Sequence, residues 1–147
     1  SLKVRRLGTF LSLPVASPVY VARAGQPETP PDLMKHDCII DTNRRFPKRW
    51  AFQRDGAEIL TTVEGRFHVN SASAAVDLAR RGLGIAYVPG FALHDALESG
   101  DLVRLLDGFR GEGGDIGAVY LEGRALPRKV RALIDFAVDD IKKAGAL

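Results

Sequence analysis

Small polar residues follow three apolar stretches of the chain, at points where the pattern predicts that a strand ends and a helix begins. The junctions are 16–18, 69–71 and 88–90, and they contain hydroxyl, amide or glycine residues. In an α/β sheet, the carboxyl ends of the strands line a crevice in which helix N-terminal amides favour anions. Every helix also needs a cap, and capping is the favoured interpretation of the first and third junctions. The junction with Asn70, Ser71 and Ser73 is evenly balanced between a cap and a ligand site.

Nucleophilic catalysis and metal binding are poorly supported by the residue types. The sequence has no Gly-x-Ser-x-Gly elbow, and Cys38 lies in the apolar strand pattern 37–40, where a thiol is usually inert packing. His36 and Cys38 could ligate a metal from one strand face, but further ligands at a convincing spacing are missing. Gly82 and Gly84 end a helix and open a strand, which is the reverse of a dinucleotide-binding loop. We therefore predict no catalytic residue, no metal site and no cofactor.

Four basic residues fall within the polar loop 42–49, namely Arg44, Arg45, Lys48 and Arg49. Such a cluster could touch phosphates, but no recognition helix accompanies it, so a solvated loop is the favoured interpretation. The net charge of +3 is too small to indicate nucleic-acid binding by itself.

Composition indicates a single soluble domain. The chain has 147 residues, of which 46% are hydrophobic and 27% charged, close to the average for globular proteins. Its one cysteine excludes an internal disulfide, and no apolar run reaches the roughly 18 residues of a membrane helix. The first ten residues are too basic for a signal peptide, so we expect a cytoplasmic protein that does not contact a membrane.

Helical segments alternate with short apolar strands, which predicts an α/β protein with a largely parallel, layered sheet. An Asp55-Gly56 turn predicts a hairpin, and residues 107–114, with four glycines, predict a loop or hinge. A strongly amphipathic last helix begins at Pro127. The predicted strands are 9–15, 37–41, 50–53, 57–62, 65–69, 83–88, 102–106 and 116–121. The other predicted helices are 19–24, 71–81 and 91–98, together with a short helix that begins at 29–33.

Seven segments, in order, resemble the effector-binding domain of LysR-type transcriptional regulators. The most specific are the string Gly82-Leu83-Gly84-Ile85-Ala86-Tyr87-Val88-Pro89 and the Pro-x-x-Val-Arg-x-x-Ile-Asp-Phe pattern of 127–136. The others are 7–22, 29–33, 50–56, 65–71 and 100–106, so the resemblance covers essentially the whole chain.

The resemblance implies an α/β fold of the type 2 periplasmic-binding-protein kind, with one lobe complete and the other partial. Residues 16–114 would form the complete distal lobe, and 1–15 with 115–147 would form parts of the proximal lobe. A small-molecule effector would bind between the lobes and change how the full-length regulator holds DNA. The winged helix-turn-helix and the first part of the effector domain have no counterpart in this sequence. Homodimers or higher homo-oligomers are also implied, and enzymatic activity is not.

The resemblance also implies which residues contact the effector. The positions that match the family's contacts on the distal lobe are Asn70, Ser71 and Ser73, with Pro89 and Gly90 at the neighbouring junction. The floor of the cleft would be formed by Ser12, Ala16 and Ser17. The effector would be polar, and it would be anionic if the arginines of the loop 42–49 fold over the cleft.

The alternative is a solute-binding receptor or an enzyme built on the same two-lobed fold. A secreted receptor should carry a signal peptide, and an enzyme should show a nucleophile with its base and orienting group. Neither signal is found in the sequence, so a regulator's ligand-sensing domain is the preferred interpretation.

Overall fold

The computed structural model describes residues 2–121 of the chain. The α-helices are α1 (Pro18–Ala24), α2 (Ala72–Arg80) and α3 (His94–Ser99), and two 3-10 helices span Pro30–Lys35 and Gly90–Ala92. The strands are β1 (Leu2–Ala16), β2 (Ile40–Asp41), β3 (Arg49–Arg54), β4 (Ala57–Thr62), β5 (His68–Val69), β6 (Ala86–Pro89), β7 (Val103–Arg104), β8 (Arg110–Gly111) and β9 (Gly113–Leu121). The predicted C-terminal helix lies outside the described residues.

The long strand β1 connects two halves of the structure. Its first part pairs antiparallel with β9, from Leu2 opposite Leu121 to Leu11 opposite Gly113. Its last part, from Ser12 onward, pairs instead with β6 and β7. The change of partners between Leu11 and Ser12 makes this point of β1 the crossover between the halves.

The direction of β1 corrects the expectation of a largely parallel sheet. β2 pairs parallel with β5, and Cys38 forms a parallel bridge with Ile85 just before β6, so these three strands point the same way. β1 pairs antiparallel with β6, β7 and β9. Two strands joined by a helix are parallel only when the connection returns the chain to the end of the sheet at which the first strand began. The connection from β1 to β2 does not return the chain to that end. As a result, β2 runs opposite to β1, and it lies on the far side of β6.

The predicted hairpin is confirmed by β3 and β4, which pair from Arg49 opposite Thr62 to Arg54 opposite Ala57. Asp55 and Gly56 both have positive φ, 52° and 77°, as the tight turn between twisted strands requires. A third strand, β8, pairs with β3 on its other edge, with Phe52 opposite Gly111.

The glycine-rich segment 107–114 is not simply the loop that its composition predicted, because it contains β8 and the start of β9. Two of its glycines, Gly111 and Gly114, permit close packing rather than a flexible turn. A Cβ on Gly111 would lie 1.9 Å from the carbonyl oxygen of Ser12, and one on Gly114 would lie 2.4 Å from the ring of Phe10. Glycine content alone cannot distinguish close packing from a loop.

Other predicted elements are present but shorter. The strand predicted at 65–69 is limited to His68–Val69. Gly65, three residues earlier, packs closely against the backbone of Cys38. The strands predicted at 83–88 and 102–106 are Ala86–Pro89 and Val103–Arg104. The helix predicted at 91–98 is divided into Gly90–Ala92 and His94–Ser99.

Two apolar clusters stabilise the sheet. One contains Tyr20, Leu33, Trp50, Phe52 and Tyr87 and joins α1 and the hairpin to the sheet. The other lies beneath α2 and α3 and contains Val15, Ile39, Val76, Val88 and Leu93 among its members. Among residues 2–121, no helix is long and apolar enough to cross a membrane.

We predict that Gly111→Ala destabilises the protein by about 2–3 kcal/mol, because its Cβ would overlap backbone that cannot move independently. Gly108→Ala is the matched control, since a Cβ at Gly108 meets nothing within 4 Å. We expect the control to change the free energy of unfolding by less than about 0.5 kcal/mol. Urea unfolding of both variants measures the difference, and equal stabilities would show that the contact at Ser12 is not a constraint.

Candidate ligand-binding site

Two of the three sequence-predicted junctions lie at the same edge of the sheet. β2, β5 and β6 are parallel, so Asp41, Asn70 and Pro89 end or follow strands at one edge. Ser12 is opposite Pro89 in the antiparallel ladder, which places it at this edge as well. The structure therefore brings together Ser12, Pro89 and the junction around Asn70.

Ala16 and Ser17 lie at the opposite edge, because β1 runs against its neighbours. Ser17 lies five steps along the extended chain from Ser12, or roughly 16 Å at the usual rise of a strand. The Ser17 Oγ accepts a hydrogen bond from the amide of Tyr20 at 3.1 Å, so it caps α1. A Cβ on Gly82, just beyond the end of α2, would lie 3.4 Å from that Oγ. Ser17 thus lies near the far end of α2.

The first turn of α2 divides its polar residues between two roles. The Ser71 Oγ accepts a hydrogen bond from the amide of Ala74 at 3.1 Å, which makes Ser71 the N-cap. The Ser73 side chain is exposed, and the Asn70 carbonyl accepts a hydrogen bond from the Asn43 side-chain amide. The loop after β2 is therefore attached to this junction.

A cavity of about 510 Å³ opens at this edge, and we call it the cleft cavity. This volume is within the range of small-molecule sites in proteins, about 300–1,000 Å³. Its walls come from the crossover of β1, the loop after β2, the start of α2, the end of β6 and the segment before β9. Its lining residues are Phe10, Ser12, Asp41, Asn43, Arg44, Arg45, Phe46, Ala72, Pro89, Glu112 and Gly113.

Four sequence-predicted residues at this edge are not lining residues. Asn70, Ser71 and Ser73 flank the cleft cavity next to its lining residue Ala72. Gly90 lines another cavity, of about 710 Å³, which also borders Leu11, Arg104 and Arg110. Of the eight residues predicted from the sequence, Ser12 and Pro89 line the cleft cavity itself.

Arg44 is the principal charged group of the cleft cavity. Only 14% of its side chain is exposed, although it belongs to a loop whose sequence predicted solvation. Its Nη1 donates to the Tyr87 carbonyl oxygen at 3.3 Å and to the Ser12 Oγ at 3.4 Å. Its Nη2 donates to the Glu112 carboxylate. The Nε is buried and has no hydrogen-bond partner within the described part of the chain.

The ring of Tyr87 packs against the Arg44 guanidinium. The Arg44 Cζ lies 4.6 Å from the centre of the Tyr87 ring, and that ring stacks on Phe52 with centroids 4.9 Å apart. The Tyr87 hydroxyl donates to the Ala51 carbonyl at 2.7 Å and accepts from the Glu112 amide at 2.6 Å. Burial raises the pKa of Tyr87 still further above neutral pH, so the hydroxyl keeps its proton and remains a donor. The cation–π contact and these hydrogen bonds fix the position of Arg44.

This arrangement suits an anionic ligand group. A guanidinium presents planar, parallel donors that match a carboxylate or a phosphate, and it keeps its charge at all physiological pH values. The longer contacts of Nη1 are near the limit of hydrogen bonding, so they satisfy its donors only weakly. Sequence reasoning did not place Arg44, because the position of its loop depends on Tyr87, 43 residues away.

Cys38 and His36 lie away from the cleft cavity. The Cys38 thiol is 1% exposed and donates to the Leu33 carbonyl at 3.6 Å, and burial raises its pKa to about 12. His36 Nδ1 is 2.7 Å from the Tyr20 hydroxyl, and partial burial lowers its pKa. Within residues 2–121, no group of three His, Cys, Asp or Glu side chains is placed to hold a metal ion.

Comparison with known proteins gives consistent matches. Residues 1–142 match the family described as the LysR substrate binding domain. The probable HTH-type transcriptional regulator LtrA of Klebsiella pneumoniae is 30% identical over 134 residues, which cover 89% of this chain and 43% of that protein. The chain spans less than half the length of several curated relatives that it matches.

Solved structures agree with these sequence matches. Full-length AphB of Vibrio cholerae, a virulence activator and a member of the LTTR family, has a TM-score of 0.79 and 28% identity. That match covers 95% of this chain and 48% of AphB. The regulatory domain of CrgA from Neisseria meningitidis, a LysR-type transcriptional regulator, has a TM-score of 0.80 and 25% identity, over 95% of this chain and 69% of that one.

We predict that Ser71→Ala lowers the free energy of unfolding by about 1 kcal/mol, since it removes the acceptor for an N-terminal amide of α2. Ser73→Ala, two residues away and exposed, should change it by less than about 0.5 kcal/mol. Chemical denaturation measures both variants. A larger effect at Ser73 would mean that Ser71 is not the cap.

We predict that the buried thiol of Cys38 makes stability fall at alkaline pH. The thiol ionises near pH 9 in the unfolded chain but only near pH 12 in the folded protein, so the unfolded state loses protons first. Relative to Cys38→Ala, the free energy of unfolding should therefore fall by about 1 kcal/mol between pH 8 and pH 10. Denaturant unfolding across this pH range provides the measurement, and parallel curves for the two proteins would contradict it.

Proposed function

Because the chain belongs to the LysR substrate-binding domain family, we propose that the cleft cavity is where it binds a small-molecule effector. The family and its solved members confirm the predicted α/β fold of the type 2 periplasmic-binding-protein kind. The chain is thus a ligand-sensing domain of the LysR type, and domains of this type act in regulators that oligomerise.

The effector carries an anionic group that binds Arg44. The observation that supports this is a nearly buried guanidinium with a buried, unpartnered Nε at the wall of a ligand-sized cavity. A buried donor without a partner costs free energy, and an incoming carboxylate removes that cost. Arg45, exposed at the same wall, adds a second positive charge to the approach.

The remaining contacts follow from the lining residues. The Ser12 hydroxyl is buried and faces the guanidinium, so it helps to orient the same ligand group. Asn70 and Ser73 lie beside the start of α2 and supply polar contacts at the rim, while Ser71 acts there as a cap. Pro89 contributes a rigid wall, and Gly90 lies next to it. Ala16 and Ser17 are not part of the proposed site, because they lie at the opposite edge of the sheet.

Binding is transmitted through the crossover. The cleft cavity includes Phe10 and Ser12 of β1 together with Glu112, between β8 and β9, and Gly113 at the start of β9, so a ligand touches both connecting segments. We assign residues 16–114 to a distal lobe and 1–15 with 115–147 to parts of a proximal lobe, with residues 12–15 of β1 joining the distal sheet through their pairing with β6 and β7. Closure of the lobes around the effector changes how the full-length regulator, a homodimer or higher homo-oligomer in the cytoplasm, holds DNA. The DNA is contacted by a part outside this sequence.

The two alternative functions, a solute-binding receptor and an enzyme, are less well supported. A solute receptor or an enzyme on the same fold would have relatives with those activities, whereas the curated relatives are named as transcriptional regulators. We therefore propose no catalytic role for the cleft cavity.

A panel of small carboxylic acids, each beside its neutral amide, tests the proposal by thermal shift. We expect at least one acid to raise the melting temperature of the protein, and its amide to have a smaller effect. Arg44→Gln should remove the shift, with a loss of about 1.5–3 kcal/mol of binding free energy for a hydrogen-bonded charge pair.

Arg66→Gln is the matched control, because Arg66 is exposed and contacts Asp37 outside the cleft cavity. It should leave the thermal shift unchanged. Acids that stabilise wild type and Arg44→Gln equally would place the site elsewhere.

A further inference from the structure

Glu112 is held in place by its own backbone. Its amide donates to the Tyr87 hydroxyl at 2.6 Å, and its carbonyl accepts from the Ser12 amide at 2.7 Å. The residue lies between β8 and β9, at the crossover between the two halves. With both backbone groups fixed, the side chain is directed to the Arg44 guanidinium, and its carboxylate accepts from Nη2.

The two partners of this ion pair differ in exposure. The Glu112 side chain is 36% exposed and the Arg44 side chain 14%, and both line the cleft cavity. The carboxylate can therefore leave toward solvent, while the guanidinium stays fixed on Tyr87. An arginine left buried without an opposite charge is strongly unfavourable, so Glu112 departs only when another anion takes its position.

The hydrogen-bond donors of Arg44 show how the carboxylate of a ligand would fit in place of Glu112. Nε and Nη2 form the side-on edge of a guanidinium, and a carboxylate can accept from both at once. Glu112 accepts from Nη2 alone and leaves Nε without a partner. A free carboxylate, not constrained by a backbone, can engage both donors and so makes one hydrogen bond more than Glu112 does.

We propose that Glu112 competes internally with the anionic group of the effector for Arg44. Displacement of Glu112 from Arg44 then transmits the binding event to the crossover. This inference rests on the proposed function of the cleft cavity and deepens it. In the ligand-free protein, Glu112 neutralises Arg44 and ties the loop after β2 to the segment between β8 and β9. An anionic effector breaks this tie, and a neutral analogue does not. Glu112 thus sets both the affinity for anions and their selection over neutral molecules.

Titration with sodium acetate tests the competition, with acetamide as the neutral probe and sodium chloride keeping the ionic strength constant. The readout is the NMR signal of the Arg44 Nε–H group, which gives an apparent Kd even for weak binding. Glu112→Gln should lower the Kd for acetate about five- to tenfold, the range expected for removing a partly exposed competing charge. Acetamide should not bind measurably to either protein.

Glu64→Gln is the matched control, since Glu64 pairs with Lys48 at 3.3 Å and is not a lining residue of the cleft cavity. It should leave the Kd for acetate within about twofold of wild type, because an exposed pair outside the site is worth little. Glu112→Asp keeps the charge and shortens the side chain, so its Kd should lie between those of wild type and Glu112→Gln. This variant tests the proposal even if Glu112→Gln does not fold.

The outcomes distinguish this inference from the proposed function. Acetate binding by Glu112→Gln or Glu112→Asp that is no tighter than in wild type overturns the competition. In the double variant Arg44→Gln/Glu112→Gln, acetate binding should be lost, as followed by backbone amide signals of residues 43–46. If the double variant binds acetate as tightly as Glu112→Gln does, anions bind elsewhere, and both the cleft proposal and the competition fail.

Discussion

The backbone of β1 at Ser12 lies against the backbone of Gly111 and Glu112, and the candidate site depends on this contact. The Ser12 amide donates to the Glu112 carbonyl at 2.7 Å, and a Cβ on Gly111 would lie 1.9 Å from the Ser12 carbonyl oxygen. Without a side chain at Gly111, the two connecting segments approach closely enough for both to line one cavity. The Tyr87 hydroxyl bridges the Ala51 carbonyl and the Glu112 amide, so the hairpin and the crossover are linked through a single buried group.

Local signals account for the features that the sequence predicted well. Asp55 and Gly56 determine the hairpin because few residue pairs adopt positive φ at both positions, and the structure has this turn. Capping is the favoured interpretation of the junction 16–18, and Ser17 caps α1 because a hydroxyl just before an apolar period satisfies an amide of the first turn. The sequence leaves the junction at Asn70 and Ser71 open between a cap and a ligand site, and in the structure Ser71 is the cap. In each case the physical cause lies within about four residues, which is the distance over which pattern reasoning is reliable.

Non-local geometry accounts for what the sequence did not predict. The pattern of β1 indicates a strand but not its direction, so Ala16 and Ser17 could not be separated from Ser12 before the ladders were known. Arg44 belongs to a polar loop, and only the packing of that loop over Tyr87 buries its guanidinium. Glu112 lies among glycines that read as a flexible loop, whereas close packing fixes its backbone on both sides. These residues depend on partners 25 to 100 positions away.

The burial of Arg44 determines which conformations of the cleft are stable. A guanidinium stacked on a buried ring and largely removed from water is strongly unfavourable without an opposite charge beside it. The described residues that contact it contribute one carboxylate, that of Glu112. On the proposal made above, an empty cleft keeps Glu112 in place, and an anionic effector supplies the replacement charge. Because Glu112 belongs to the crossover, exchange of one anion for another changes the contacts of a connecting segment. Under this proposal, recognition of charge and movement between the halves are the same event, since the group that the ligand would replace is part of the connection itself.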